Sequence, residues 1–160
     1  MRGRAAPRIL RRPKNSMRIM ALDIGDRTIG VACSDEGRIL ASPVETIARR
    51  GPKADAFRVE ALVKERGVSR VIAGLPLTLR GESGPQSAKV REFVEVLKRR
   101  LRVPVEMWDE RLTTREAERV LIEGDLSRAR RKEVIDQMAA VLILQSYLDT
   151  QAHARTTPTS

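Results

Sequence analysis

The chain has 160 residues, 41% hydrophobic and 32% charged, which suits one globular domain with a real hydrophobic core. No apolar stretch approaches the length of a membrane span, and the N-terminus has no hydrophobic run, so neither a span nor a secretory signal is expected. Cys33 is the only cysteine, which excludes an intrachain disulfide framework and a cysteine zinc site and points to a reducing cytoplasm.

Residues 1–16 form an Arg/Pro-rich segment without periodicity, expected as a basic disordered N-terminal tail. Met17 is an alternative start, with the tail an upstream extension. Six basic residues and no acid stand in this tail, so +6 of the net +10 belongs to it and +4 to the rest. A basic body favours a nucleic-acid partner, and a surface tuned for solubility is the competing explanation. His153, the only histidine, lies near the polar C-terminus, which argues against a histidine base or triad. The four aromatics, Phe57, Phe93, Trp108 and Tyr147, are too few for a base-stacking platform. Hydrolytic chemistry would have to rest on carboxylates, with a metal.

The first element after the tail is a buried strand over 19–25, an apolar run interrupted by Asp23 and closed by a glycine turn. A carboxylate inside such a run is costly unless it is paired or binds a metal. Asp23 is therefore a metal ligand or an acceptor for turn N–H groups. A second strand is expected over 29–34, a turn at 35–38, and a third strand over 39–46, with Pro43 marking an edge or bulge. A loop over 49–53 leads to a helix over 54–66, stopped by Gly67. A strand over 71–74 opens into a glycine-rich loop to Gly84, which leads to a helix from Pro85 to about residue 101. A fifth strand over 103–108 follows. Thr113 and Glu116 form a capping box for a helix reaching about residue 124. After a basic connection, the last helix is expected over 133–150, with a disordered tail at 151–160. The domain thus spans 17–150: an α/β fold with a five-stranded mixed sheet, three antiparallel strands and then parallel ones, flanked by helices on both faces.

Three acidic positions lie in or beside apolar runs: Asp23, the Asp109–Glu110 pair, and Asp136. On the last helix Asp136 shares a face with Ala139, Ala140, Ile143 and Tyr147, and the small alanines permit close approach to the sheet. Converging carboxylates make a hard oxygen site suited to Mg²⁺ or Mn²⁺, and two such ions can clamp both oxygens of a phosphodiester displacement. Bland readings compete. Asp136 could cap a helix start, and Glu110 could pair with Arg111 or Arg115 at the surface. Arg111, Arg115, Arg128, Arg130, Arg131 and Lys132 could hold phosphates or simply form a solvated face.

The runs Ala21-Leu22-Asp23-Ile24-Gly25, Ala73-Gly74-Leu75-Pro76-Leu77, Asp109-Glu110-Arg111-Leu112-Thr113-Thr114 and Ile135-Asp136-Gln137-Met138-Ala139-Ala140 occur in that order. With them the chain resembles the YqgF/RuvX family of the RNase H-like (Holliday-junction-resolvase-like) superfamily. The resemblance implies an RNase H-like fold with Asp23 on the central strand. It implies that Asp23, Glu110 and Asp136 are the catalytic, metal-binding acids, with Asp109 the lesser candidate. Thr28 departs from the family pattern, where a basic residue often stands, while Arg27 remains as a phosphate contact. The family implies a metal-dependent nuclease, processing the 5′ end of the small-subunit ribosomal RNA precursor or resolving Holliday junctions, acting as monomer or homodimer. A non-catalytic nucleic-acid binder on the same fold is a further alternative. ATP binding on an actin-like fold is disfavoured, because that fold needs two large lobes and a second such motif.

Overall fold

The computed structural model describes residues 17–77, 80–112 and 128–156, with side chains described except at 112, 128–136, 155 and 156. The expected tail before Met17 and the capped helix from Thr113 fall outside these residues, as does Arg115. The described elements are β1 (Arg18–Ile24), β2 (Thr28–Ser34), β3 (Ala41–Ala48), α1 (Pro52–Arg66), β4 (Val68–Leu75), α2 (Pro85–Arg100), β5 (Val105–Asp109) and α3 (Arg128–Thr156). The five strands form one sheet in the order β3-β2-β1-β4-β5. β1 is antiparallel to β2 and parallel to β4, and β5 is parallel to β4. The expected mixed sheet, antiparallel and then parallel, is present, with β1 at its centre.

Alternation along β1 assigns the two faces. Met20, Leu22 and Ile24 pack with Val59, Leu62, Phe93, Val94 and Leu97 beneath α1 and α2. Ile19 and Ala21 pack with Ile72, Ala140, Ile143, Leu144 and Leu148 beneath α3. β1 is apolar on both faces because helices cover both, as a central strand in such a fold requires.

Several boundaries differ from the expectation for local reasons. α1 starts at Pro52, since proline has no N–H to lose in the first helical turn. It ends at Gly67, whose φ of 62° lets its N–H close on Lys64 and Val63. β4 begins at Val68, directly after that cap, and is twice the expected length. β3 begins at Ala41, which leaves Ile39 and Leu40 exposed in the hairpin. α3 spans 29 residues rather than 18. It starts within the expected basic connection and continues to Thr156, so residues 151–156 of the expected tail are helical.

Candidate active site

Asp23 stands one residue before the end of β1, opposite Gly30 of β2, with its side chain half-buried. Its neighbours Ala21 and Ile19 face α3, and the pleat puts Asp23 on that same face. The turn after it is fixed by backbone. Gly25 N–H donates to the Thr28 carbonyl at 2.8 Å, and Arg49 N–H donates to the Arg27 carbonyl at 2.9 Å. Arg49 Nη1 also donates to the Gly25 carbonyl at 2.9 Å. Its Nε meets Asp55 Oδ2 at 3.0 Å, and its guanidinium lies 5.0 Å over the Phe93 ring. Asp55 is 1% exposed and also accepts the Arg50 N–H at 2.9 Å. One half-buried arginine therefore clamps the Asp23 turn to α1 and α2. Nothing in the spacing of Arg49 and Asp55 marks them as partners, because the pair forms only when α1 folds back on the sheet.

Glu110 opens the three-residue turn Glu110–Leu112 that follows β5. Its side chain lies over Gly74 of β4: a Cβ added there would be 3.1 Å from both Cγ and Oε2 of Glu110 and 2.6 Å from Ile143 Cδ1 of α3. The β1–β4 ladder pairs Leu22 with Ala73, so the next step sets Asp23 beside Gly74 on neighbouring strands. Asp23, Gly74 and Glu110 thus share the α3 face at the C-terminal end of the parallel strands. The missing side chain at Gly74 leaves room for the second carboxylate. The glycine in this apolar run was the available sequence signal for such a close approach.

The adjacent acid has a different task. Arg111 donates to Asp109 through its backbone N–H at 2.9 Å, through Nε at 3.0 and 2.9 Å to the two carboxylate oxygens, and through Nη2 at 2.6 Å. The Arg111 side chain beside Asp109 holds that carboxyl below its usual range, and the Arg111 guanidinium is raised in turn. The same guanidinium lies against Gly81 in the loop before α2, 3.2 Å from where a Cβ would stand. Arg27 is exposed in the β1–β2 turn.

Asp136 belongs to α3, eight residues past its first residue, so the helix-capping reading is excluded. It precedes Ala140 by one turn and Ile143 by two, and both of those pack on the sheet. The register of α3 is set further along. Tyr147 Oη donates to Glu106 Oε1 at 3.0 Å, where Arg70 Nη1 also donates at 3.0 Å. The Trp108 ring meets Tyr147 edge-on at 5.2 Å. Gln145 accepts the Ala41 N–H at 3.0 Å and donates to the Ile39 carbonyl at 2.8 Å. The side chains of Asp136, Arg128, Arg130, Arg131 and Lys132 lie outside the described residues. Among the described residues no three His, Cys, Asp or Glu side chains gather at one point. The described part of the expected set is a pair, Asp23 and Glu110, whose oxygen donors suit a hard divalent cation.

Residues 17–150 match the family described as RuvX, Holliday junction resolvase. A relative from Desulforudis audaxviator, described as "Putative pre-16S rRNA nuclease", is 50% identical over 88% of this chain and 100% of its own length. A relative of the same description from Thermoanaerobacter pseudethanolicus is 55% identical over 84% of this chain and 98% of its own. Among solved structures, T. thermophilus RuvC in complex with a Holliday junction superposes with a TM-score of 0.55 at 17% identity, covering 88% of this chain and 98% of that one. The Fowlpox virus resolvase in complex with junction DNA superposes with a TM-score of 0.53 at 14% identity, covering 84% and 99%. At such identity these two likenesses speak for the fold.

Proposed function

Because the chain belongs to the RuvX family, we propose that it is a divalent-metal-dependent nuclease that processes the 5′ end of the 16S ribosomal RNA precursor. The observation that carries the reading is the pairing of Asp23 and Glu110 on one face of the sheet across the notch at Gly74. The relatives described as pre-16S rRNA nucleases align over nearly their whole length, which supports the substrate.

In this reading Asp23, Glu110 and Asp136 hold one or two Mg²⁺ or Mn²⁺ ions. The bound metal would supply Lewis-acid stabilisation of charge developing on the phosphate. The chain's own contribution is positional. β1 holds Asp23 rigidly, with a ladder on each side. Gly74 admits Glu110, and the Tyr147–Glu106–Arg70 cluster fixes the register of α3 and hence of Asp136. Arg27 and Arg111, with Arg115, Arg128, Arg130, Arg131 and Lys132, would position the backbone phosphates. Water adds to phosphorus and the departing sugar oxygen leaves in line. The cytoplasm is the matching compartment, and no described helix is long and apolar enough to cross a membrane.

Asp23→Asn tests the site. It should abolish Mn²⁺- or Mg²⁺-dependent cleavage and leave affinity for the uncut substrate nearly intact; undiminished cleavage by this variant refutes the assignment. Junction resolution is the second reading, favoured by the family's description. It would call for a symmetric dimer. Comparing cleavage of precursor RNA and of a synthetic four-way junction, each with Mn²⁺, separates the two.

A further inference from the structure

We propose that the groove between the start of α1 and the second half of α2 is an additional contact for the phosphate backbone of the nucleic acid, beyond the segment held at the carboxylates. It rests on the nuclease reading for the identity of the polymer. The groove has a volume of about 960 Å³ and is lined by Arg50, Lys53, Arg99 and Arg100, over an apolar floor that includes Pro52 and Val96. No carboxylate lines it. Arg100 is already engaged, with its Nε 3.0 Å from Glu60 and its guanidinium 5.2 Å over the Phe57 ring. Arg50, Lys53 and Arg99 are exposed, and their side chains have no acidic partner among the described residues. Three exposed cations along one groove give it a positive potential that attracts a polyanion. The groove is open rather than enclosed, so it admits a chain of phosphates passing through.

Its position makes the occupant a distant part of the substrate. α1 and α2 cover the sheet face opposite α3, whereas Asp23 and Glu110 are on the α3 face. A neighbouring groove of about 670 Å³ shares Pro52, Val96 and Arg99 and extends to Asp26 in the β1–β2 turn, next to Asp23. Asp26, Glu92 and Glu95 line that second groove with Arg49 and Lys89, of which Arg49 is paired to Asp55 and Lys89 to Asp26, so Arg99 is the cation it offers an anion. A strand leaving the carboxylates over the β1–β2 turn would therefore meet the basic groove only after rounding the sheet end. A helix layer is about 10 Å thick, which is more than one nucleotide step. Short substrates reach one contact and longer ones reach both.

The test is the triple variant Arg50→Gln, Lys53→Gln, Arg99→Gln, assayed for binding in EDTA with single strands of about 3 and about 40 nucleotides. A second triple variant, Arg66→Gln, Lys98→Gln, Arg102→Gln, removes the same charge elsewhere. The groove variant should bind the long strand about tenfold more weakly at low salt, with its log–log salt slope reduced by about 2, and should bind the short strand as before. Unchanged affinity for the long strand, an equal loss on both lengths, or the same loss in the second variant each overturns the proposal. The readout is independent of cleavage. A length-dependent loss in a protein that cuts nothing with any divalent metal would refute the nuclease reading while upholding the groove.

Discussion

Gly74 and Glu110 fit together as a notch and its occupant. The space a Cβ would take at Gly74 lies 3.1 Å from the Glu110 carboxylate, and Ile143 of α3 closes it from above at 2.6 Å. Gly74→Ala should therefore push on two flexible side chains, at a cost of about 1–3 kcal/mol. Adding Ile143→Val removes the closer clash but leaves the carboxylate displaced. The double variant should regain most of the thermal stability while cleavage stays at least about tenfold down, since a misplaced catalytic group carries penalties of that order. Recovery of both together would show that Gly74 serves packing alone.

The Arg49–Asp55 pair predicts a stability effect at a distance from the carboxylates. Asp55 is 1% exposed and the Arg49 side chain 18%. Asp55→Ala leaves a half-buried guanidinium with only the Gly25 carbonyl and the Phe93 ring. Urea unfolding should register a loss of about 3 kcal/mol, at the lower end for a broken buried pair because Arg49 keeps some solvent. A loss under about 0.5 kcal/mol, the scale of a surface pair, would contradict the clamp.

Asp109 offers a pH signature. Its carboxyl is held below the ordinary range, first by the Arg111 side chain and then by the Arg111 backbone N–H. A depressed acid contributes stability that is in place above its unfolded value, near 3.9, and is lost as pH falls through the lower folded value. Asp109 should therefore stay ionised at neutral pH and leave no inflection in a cleavage profile there. In Arg111→Gln the Asp109 carboxyl should titrate at higher pH by NMR. An unmoved titration would show that Arg111 is not the cause.

Cys33 is 5% exposed on β2, and burial raises its thiol above the ordinary value, against smaller lowering effects of Arg18 and Arg66. Above about pH 8.5 the unfolded chain loses this proton while the folded chain keeps it, so folding weakens as pH rises through that window. The native thiol should resist a disulfide reagent at pH 8 and react at once in denaturant. Rapid native labelling would show that β2 opens readily.

The mixed sense of the sheet and its cover of helices on both faces were legible in the sequence, because apolar runs of strand length alternate with helical runs between glycine and proline turns; the central place of β1 came from the family resemblance. β1 reads as a buried strand from residues 19–25 alone. The length of α3 was not legible: Arg128, Arg130, Arg131 and Lys132 look like a loop in one dimension but are compatible with a solvated helix turn. For the site, Asp23 stood out as a charge in an apolar strand, and the choice of Glu110 over Asp109 came from the family pattern. In the structure Asp109 is engaged by Arg111 and Glu110 covers Gly74. Arg49, Asp55 and the basic groove were hidden, since their meaning depends on which helix packs over which turn.

The position of β1 sets how motion is shared between the two acids. Its amides are laddered on both flanks, to β2 and to β4, so they can open only when the whole sheet does. Glu110 hangs from a three-residue turn after β5, a strand at the margin of the described sheet. Hydrogen exchange should therefore place Leu22 and Asp23 among the slowest amides, at the free energy of global unfolding, and Glu110 among the faster ones. Such a result would place the two carboxylates in different cooperative units, one as permanent as the fold and one able to come and go within it.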